Sequence, residues 1–185
     1  MKKLLLLTIV TLLLTSCFKA EVSEKFLMKN YDEINKTFNL SGNSFDKLPE
    51  FSKYLSWELL KNVENVRLSK NEMSIITLRD SQNLSIFTNL KKLDLSNNKF
   101  KLSSNIYLPD TIEELDLSNN QLEDLKGLAN LKNLRKLYLS NNNLDNKDIL
   151  ELAKLKKLKR LKKLVIDWNN LTKEFEDKIN NRSNK

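Results

Sequence analysis

The side chains that could do chemistry in this chain are few. Its 185 residues include no histidine and a single cysteine, Cys17. Imidazole general bases, ordinary transition-metal sets and intrachain disulfides are therefore excluded. Two glycines cannot furnish a phosphate-cradling loop. What remains is carboxylates, cations and aromatic rings. Asp94 and Asp116 are one candidate pair for a cation, but no further ligand set accompanies them, so neither metal nor cofactor is expected. The run from Lys154 to Lys163 gathers Lys154, Lys156, Lys157, Lys159, Arg160, Lys162 and Lys163 among leucines. Such a run is either a solvated face or a site for acidic polymers or anionic membrane. Nothing here supplies the cavity that would tune a catalytic carboxylate, and no enzymatic activity is expected.

The elements that must position these groups are set by a recurring stretch. Leu90 to Phe100 reads LKKLDLSNNKF, and the pattern LxxLxLxxNxL returns at Ile112 to Leu122 and Leu134 to Leu144. Looser copies run from Val63 to Met73 and from Leu161 to Leu171. Aligned on the fourth position, Val66, Leu93, Leu115, Leu137 and Leu164 are 27, 22, 22 and 27 residues apart. This period and consensus resemble the leucine-rich repeat family over about residues 63–171. The resemblance implies an α/β fold: a right-handed curved solenoid of about five coils, with a parallel sheet on the concave face and mixed helix and 3₁₀ turns on the convex side. One coil cannot bury its apolar face alone, so neighbours stack into a continuous leucine core. Asn71, Asn98, Asn120, Asn142 and Asn169 close each strand, where an amide can satisfy backbone groups exposed by the bend. They are read as a structural ladder.

Ahead of the repeats, Lys2 and Lys3 precede an apolar run from Leu4 to Leu14, short for a membrane span and suited to a signal peptide. It ends in Leu14-Thr15-Ser16-Cys17, which resembles a bacterial lipobox. That resemblance implies cleavage after residue 16, acylation of Cys17, and anchoring to a bacterial membrane. Phe18 in place of an aspartate leans towards the outer membrane or cell surface. Loss of residues 1–16 lowers the formal net charge from +8 to +6, a sign attracted to anionic surfaces.

Residues 17–62 are read as a lipidated tether and a helical N-terminal cap. Val22, Phe26, Tyr31, Ile34 and Phe38 approximate one helix face, Leu40 to Phe45 reads as a turn, and a second helix near Pro49 would bury Phe51, Tyr54, Leu55 and Leu59. Tyr54 and Trp57 could alternatively form a binding patch. Leucines at 122, 125, 128, 131 and 134 suit 3₁₀-like turns. Asp145-Asn-Lys-Asp opens a convex helix over 147–160, and residues 172–185 form a short C-terminal cap and frayed tail.

Strands of adjacent coils align the same repeat position into rows across the sheet. Positions two and three alternate in sign along most of their length, which predicts lateral ion pairs. Position five reads Arg67, Asp94, Asp116, Tyr138, Val165, and Trp168 follows at position eight. Two adjacent aspartates beside exposed aromatics suggest that a partner docks across Arg67, Asp94, Asp116, Tyr138, Val165 and Trp168. The competing account has the C-terminal helix folded over Val165 and Trp168, with Asp94 simply paired to Arg67. The family resemblance implies a protein partner, from a host or from the cell envelope, without specific nucleic-acid recognition. An electrostatic binder of acidic polymers and an envelope-assembly scaffold remain the alternatives.

Overall fold

The computed structural model describes residues 22–74, 84–101, 108–128, 130–154, 160–175 and 177. Cys17 and the apolar run before it, the spacer 75–83, and Lys156, Lys157 and Lys159 lie outside the described residues.

A single seven-stranded sheet carries the described chain, in sequence order β1 to β7. Its strands are β1 (Tyr31–Asp32), β2 (Thr37–Asn39), β3 (Asn65–Arg67), β4 (Lys92–Asp94), β5 (Glu114–Asp116), β6 (Lys136–Tyr138) and β7 (Lys163–Val165). The strands from β2 onward pair in parallel, with Val66, Leu93, Leu115, Leu137 and Leu164 in one register, as the repeat alignment requires. Because side chains alternate along a strand, positions four and six turn inward together. Leu93, Leu95, Leu115, Leu117, Leu137 and Leu139 are all fully buried. Stacking these coils buries each leucine for about 1.5–3 kcal/mol, which no isolated coil could gain.

The asparagine ladder holds the bend after each strand. Asn98 Nδ2 donates to the carbonyls of Leu68 (3.0 Å), Leu95 (3.0 Å) and Ser96 (3.1 Å), and its Oδ1 accepts the Met73 N–H at 3.2 Å. Asn120 repeats this with Leu95, Leu117 and Ser118, and accepts from Phe100 N–H. Asn71, Asn142 and Asn169 do the same in their own coils. Each amide thus ties one coil to the next while satisfying carbonyls turned away from the ladder.

The repeat ladder begins earlier than the consensus copies do. Strand β2 pairs in parallel with β3, Phe38 opposite Val66, so residues 35–45 occupy the same register. Phe38 and Leu40 fill the inward positions, Asn43 stands at position nine, and the Asn43 and Phe45 amides donate to Asn71 Oδ1. The helical reading of Tyr31 to Phe38 is therefore corrected. Helix α1 is confined to Glu24–Lys29, capped by Ser23 Oγ, and Ile34 is 93% exposed in a turn. Strand β1 folds back antiparallel on β2, placing the Tyr31 ring 4.7 Å from that of Phe38. Phe38, Phe51 and Phe87 form a buried ring cluster beneath it. Near Pro49 the expected helix is split into a 3₁₀ turn (Phe51–Lys53) and the short helix α2 (Trp57–Leu60). Phe51 is buried there, with Tyr54, Leu55 and Leu59 packed against the core.

On the side opposite the strands, Leu122, Leu125, Leu128, Leu131 and Leu134 are buried, with a 3₁₀ turn at Lys126–Leu128. The longer coil that follows carries helix α3 (Asn146–Lys154), with Ile149 buried and Leu150 exposed.

Candidate functional site: the exposed face of the sheet

Alternation leaves positions three and five on the open face, and position two, just ahead of each strand, is at least partly exposed beside them. The two rows nearest the strand starts are held by ion pairs across strands. Glu113 lies 3.8 Å from Lys91 and 3.2 Å from Arg135; Glu114 lies 3.9 Å from Lys92 and 3.2 Å from Lys136. Lys36 meets Glu64 at 2.7 Å, which holds the Lys36 ammonium above its ordinary range. Each exposed pair contributes modestly, but together they fix strand register. This is internal complementarity and requires no ligand.

Position five differs. The register places Arg67, Asp94, Asp116, Tyr138 and Val165 in one row over β3 to β7. The two aspartates each close a local turn. Asp94 Oδ1 accepts the Ser96 N–H (3.0 Å) and hydroxyl (2.7 Å), and Asp116 Oδ1 accepts those of Ser118 (2.9 and 2.6 Å). Their adjacency is thus partly explained by those turns. Among the described residues Arg67 forms no ion pair, so the pairing of Asp94 with Arg67 that the competing account required is not formed. No group of three or more metal-ligating side chains occurs among the described residues either.

Arg67, Asp94 and Asp116 line a shallow depression of about 480 Å³, together with Asp32, Asn35, Thr37, Asn65, Lys92 and Glu114. The Asn35 amide, bonded to Asp32 at 2.7 Å, holds that carboxyl below the usual carboxylate range, so it stays ionised. Asp32, Asn35 and Thr37 escaped the sequence reading. Their signal was present: Asn43 and Phe45 sit at the ninth and eleventh positions of the same pattern.

The other half of the face is basic and aromatic. Lys163 Nζ lies 5.1 Å above the Tyr138 ring, a cation–π contact. Val165 is half-buried, while Trp168 is 81% exposed and left uncovered by the described residues of the C-terminal segment. Trp168 also has a left-handed backbone, φ 62°, at the position where other coils place Gly42, Lys70, Asn97, Asn119 and Asn141. Of the basic run, Lys154 ends α3, Arg160 donates to Asn133 Oδ1 at 2.9 Å, and Lys162 and Lys163 stand exposed at the start of β7. Trp57, 52% exposed, sits on α2 apart from this face, with Tyr54 half-buried under Lys53.

Family models match this chain as "Leucine Rich Repeat" over residues 89–109 and "Leucine Rich repeats (2 copies)" over 110–154. Those segments carry leucine-rich repeats, and the described chain is built as a leucine-rich repeat solenoid. A search of curated proteins gives no match. Among solved structures, an internalin C2 from Listeria monocytogenes is 23% identical with a TM-score of 0.59, covering 85% of this chain and 66% of its own. Another internalin from the same organism is 23% identical with a TM-score of 0.50, covering 62% of this chain and 31% of its own. These likenesses are of fold, and this chain spans less than two thirds of either.

Proposed function

We propose that this protein is a lipid-anchored recognition module, exported and held at a bacterial membrane through Cys17, that binds a protein partner on the open face of its sheet. The observation that carries this reading is the position-five row. Arg67 has no counter-ion among the described residues, Tyr138 stands further along the same row, next to Asp116 and under one lysine, and Trp168 stands exposed at the end of the β7 coil. An aromatic and charged centre flanked by rows of self-neutralised ion pairs has the composition of an interface centre and rim. The open face is small for a tight complex, which needs roughly 800 Å² per partner. Partner engagement is accordingly weak or strengthened by the avidity of anchored copies.

Site-specific photo-crosslinking tests it. A photoreactive residue at position 138, in the full chain expressed in its own cells, should give a discrete adduct that Asp116→Lys abolishes. The same residue at position 126, on the opposite side of the coil, should give none. An adduct from 126 and none from 138 overturns the reading. Incorporation of a palmitate analogue that Cys17→Ser removes tests the anchor, and protease shaving of intact cells tests outward exposure. A second reading, attraction to acidic polymers, draws on the exposed Lys162 and Lys163. Retention on heparin that falls steeply with salt, unaffected by Tyr138→Ala, would favour it.

A further inference from the structure

Among the described residues the last strand is an open ladder, with a charge pattern that names its complement. In every inner coil, the position-two carbonyl accepts from the next strand: Arg135 O takes the N–H groups of Lys162 (2.8 Å) and Lys163 (3.0 Å). The position-six and position-eight amides donate onward, Leu139 N–H to Val165 O and Asn141 N–H to Asp167 O. In the β7 coil the equivalents are the Lys162 carbonyl and the Ile166 and Trp168 amides, and none has a backbone partner among the described residues. The apolar side chains agree. Leu161 and Leu164 are half-buried, whereas Leu134 and Leu137, at the same positions one coil earlier, are fully buried.

Charge specifies what would complete this edge. Position two reads Lys36, Glu64, Lys91, Glu113, Arg135, Lys162, and position three ends Lys92, Glu114, Lys136, Lys163. Alternation fails only at the last step, in both rows at once, and Lys162 and Lys163 form no ion pair among the described residues. The fold shows elsewhere what sits against such a basic pair. Strand β5 brings Glu113 and Glu114 between Lys91–Lys92 on one side and Arg135–Lys136 on the other. Lysines alone would be explained as guards of an open edge. Trp168 is a second, independent observation. A bulky residue in left-handed backbone is strained, and such strain persists where it serves a purpose. Here it holds an indole in solvent at the far end of the same open strand.

We infer that the β7 edge receives an extended segment of a partner protein as an added parallel strand. That segment carries two adjacent carboxylates opposite Lys162 and Lys163, apolar residues at the alternate positions above Leu164 and Ile166, and a side chain that packs on Trp168. The mode is strand addition, in which backbone bonds supply affinity and alternate side chains supply specificity. A second copy of this chain does not fit: its own Glu–Glu strand is internal and paired on both sides, and two β7 edges would oppose lysine to lysine. The inference rests on the proposed partner-binding reading and names the chemistry of that partner.

The probe is a synthetic peptide with the sequence of residues 111–122, TIEELDLSNNQL, titrated into the full chain carrying Trp57→Phe so that Trp168 alone reports. The expected result is a saturable blue shift of Trp168 emission. Binding should weaken at least tenfold in the Lys162→Glu, Lys163→Glu double variant and be restored there by the peptide with lysine at both glutamate positions. Trp168→Asn, followed by a fluorescent label on the peptide, should weaken binding while the chain stays folded. Absence of a shift overturns the inference, and so does an equal shift with a scrambled peptide, which would signal charge attraction alone. If the double variant instead self-associates in sedimentation and no peptide binds, the lysines only guard the edge and the inference falls. None of these failures removes a crosslink at position 138, so the two readings fail separately.

Discussion

At the scale of single residues, the structure separates side chains that hold the coil from those that are spare. Asn120 belongs to the first kind: its amide serves three carbonyls and one N–H, all within 3.1 Å. Asn120→Ala should cost about 2–4 kcal/mol in urea unfolding, because several buried backbone groups lose their partner together. Asn120→Asp is the sharper test. A carboxylate there would face carbonyl oxygens, so the folded state raises its pKa above the unfolded value. The penalty should be smaller below about pH 4, where the group is protonated in both states, and full at neutral pH. Equal penalties at both pH values would refute the donor role. Trp168 belongs to the second kind. Replacing it with asparagine, which the same position holds in three other coils, should stabilise the chain by roughly 1 kcal/mol through relief of the left-handed backbone. A loss of stability would mean that the indole packs on something structural.

At the scale of elements, the leucine-spaced strands were legible because each one repeats the same inward pair and the same closing asparagine. The first strand of the ladder was not, for a physical reason. Beneath its cap the coil fills space with Phe38 and Phe45 instead of leucine, and Asn35 holds the first position of the pattern, so the apolar spacing resembled a helix face. The adjacency of Asp94 and Asp116 was legible, and so was the Asp-x-Ser spacing that closes each turn beside it. The start of α3 was legible from Asp145 and Asp148, and it carries a prediction. Asp145 Oδ1 accepts the N–H groups of Lys147 (2.8 Å) and Asp148 (3.0 Å), and Asp148 Oδ2 accepts that of Asp145 at 2.9 Å, a reciprocal cap. The bond from the Asp148 N–H holds Asp145 below the usual carboxylate range. Burial, with the charges of Asp145 and Asp124, pushes Asp148 above it. A carboxyl whose folded pKa is raised costs stability when ionised, and that cost vanishes as pH falls below its unfolded value. Asp148→Asn keeps an acceptor for the cap, so it should stabilise the protein at pH 7 and leave it unchanged near pH 3. Thermal unfolding at the two pH values checks this, and a stabilisation independent of pH would contradict it.

At the scale of the whole molecule, a ladder in which each coil touches only its neighbours should be stable in proportion to how completely each coil is covered. The centre is covered twice: Leu115 lies between Leu93 and Leu137 and is fully buried. The N-terminal end is covered by β1 and the ring cluster of Phe38, Phe51 and Phe87. The β7 end has Phe175 packed against the core, yet leaves Leu161 and Leu164 half-exposed. Stability should therefore fall towards β7. Leu115→Ala removes methyls from a site with no solvent access and should cost about 2–5 kcal/mol. The same truncation at Leu164 starts from a side chain already partly wet, and should cost about 1 kcal/mol. Native-state hydrogen exchange should show the amides of β7 opening at lower free energy than those of β4 and β5, with Leu164→Ala affecting the β7 coil alone. Equal costs at the two leucines, or uniform protection from β2 to β7, would mean that the last coil is closed as firmly as the centre. It could not then be the place where an added strand completes the sheet.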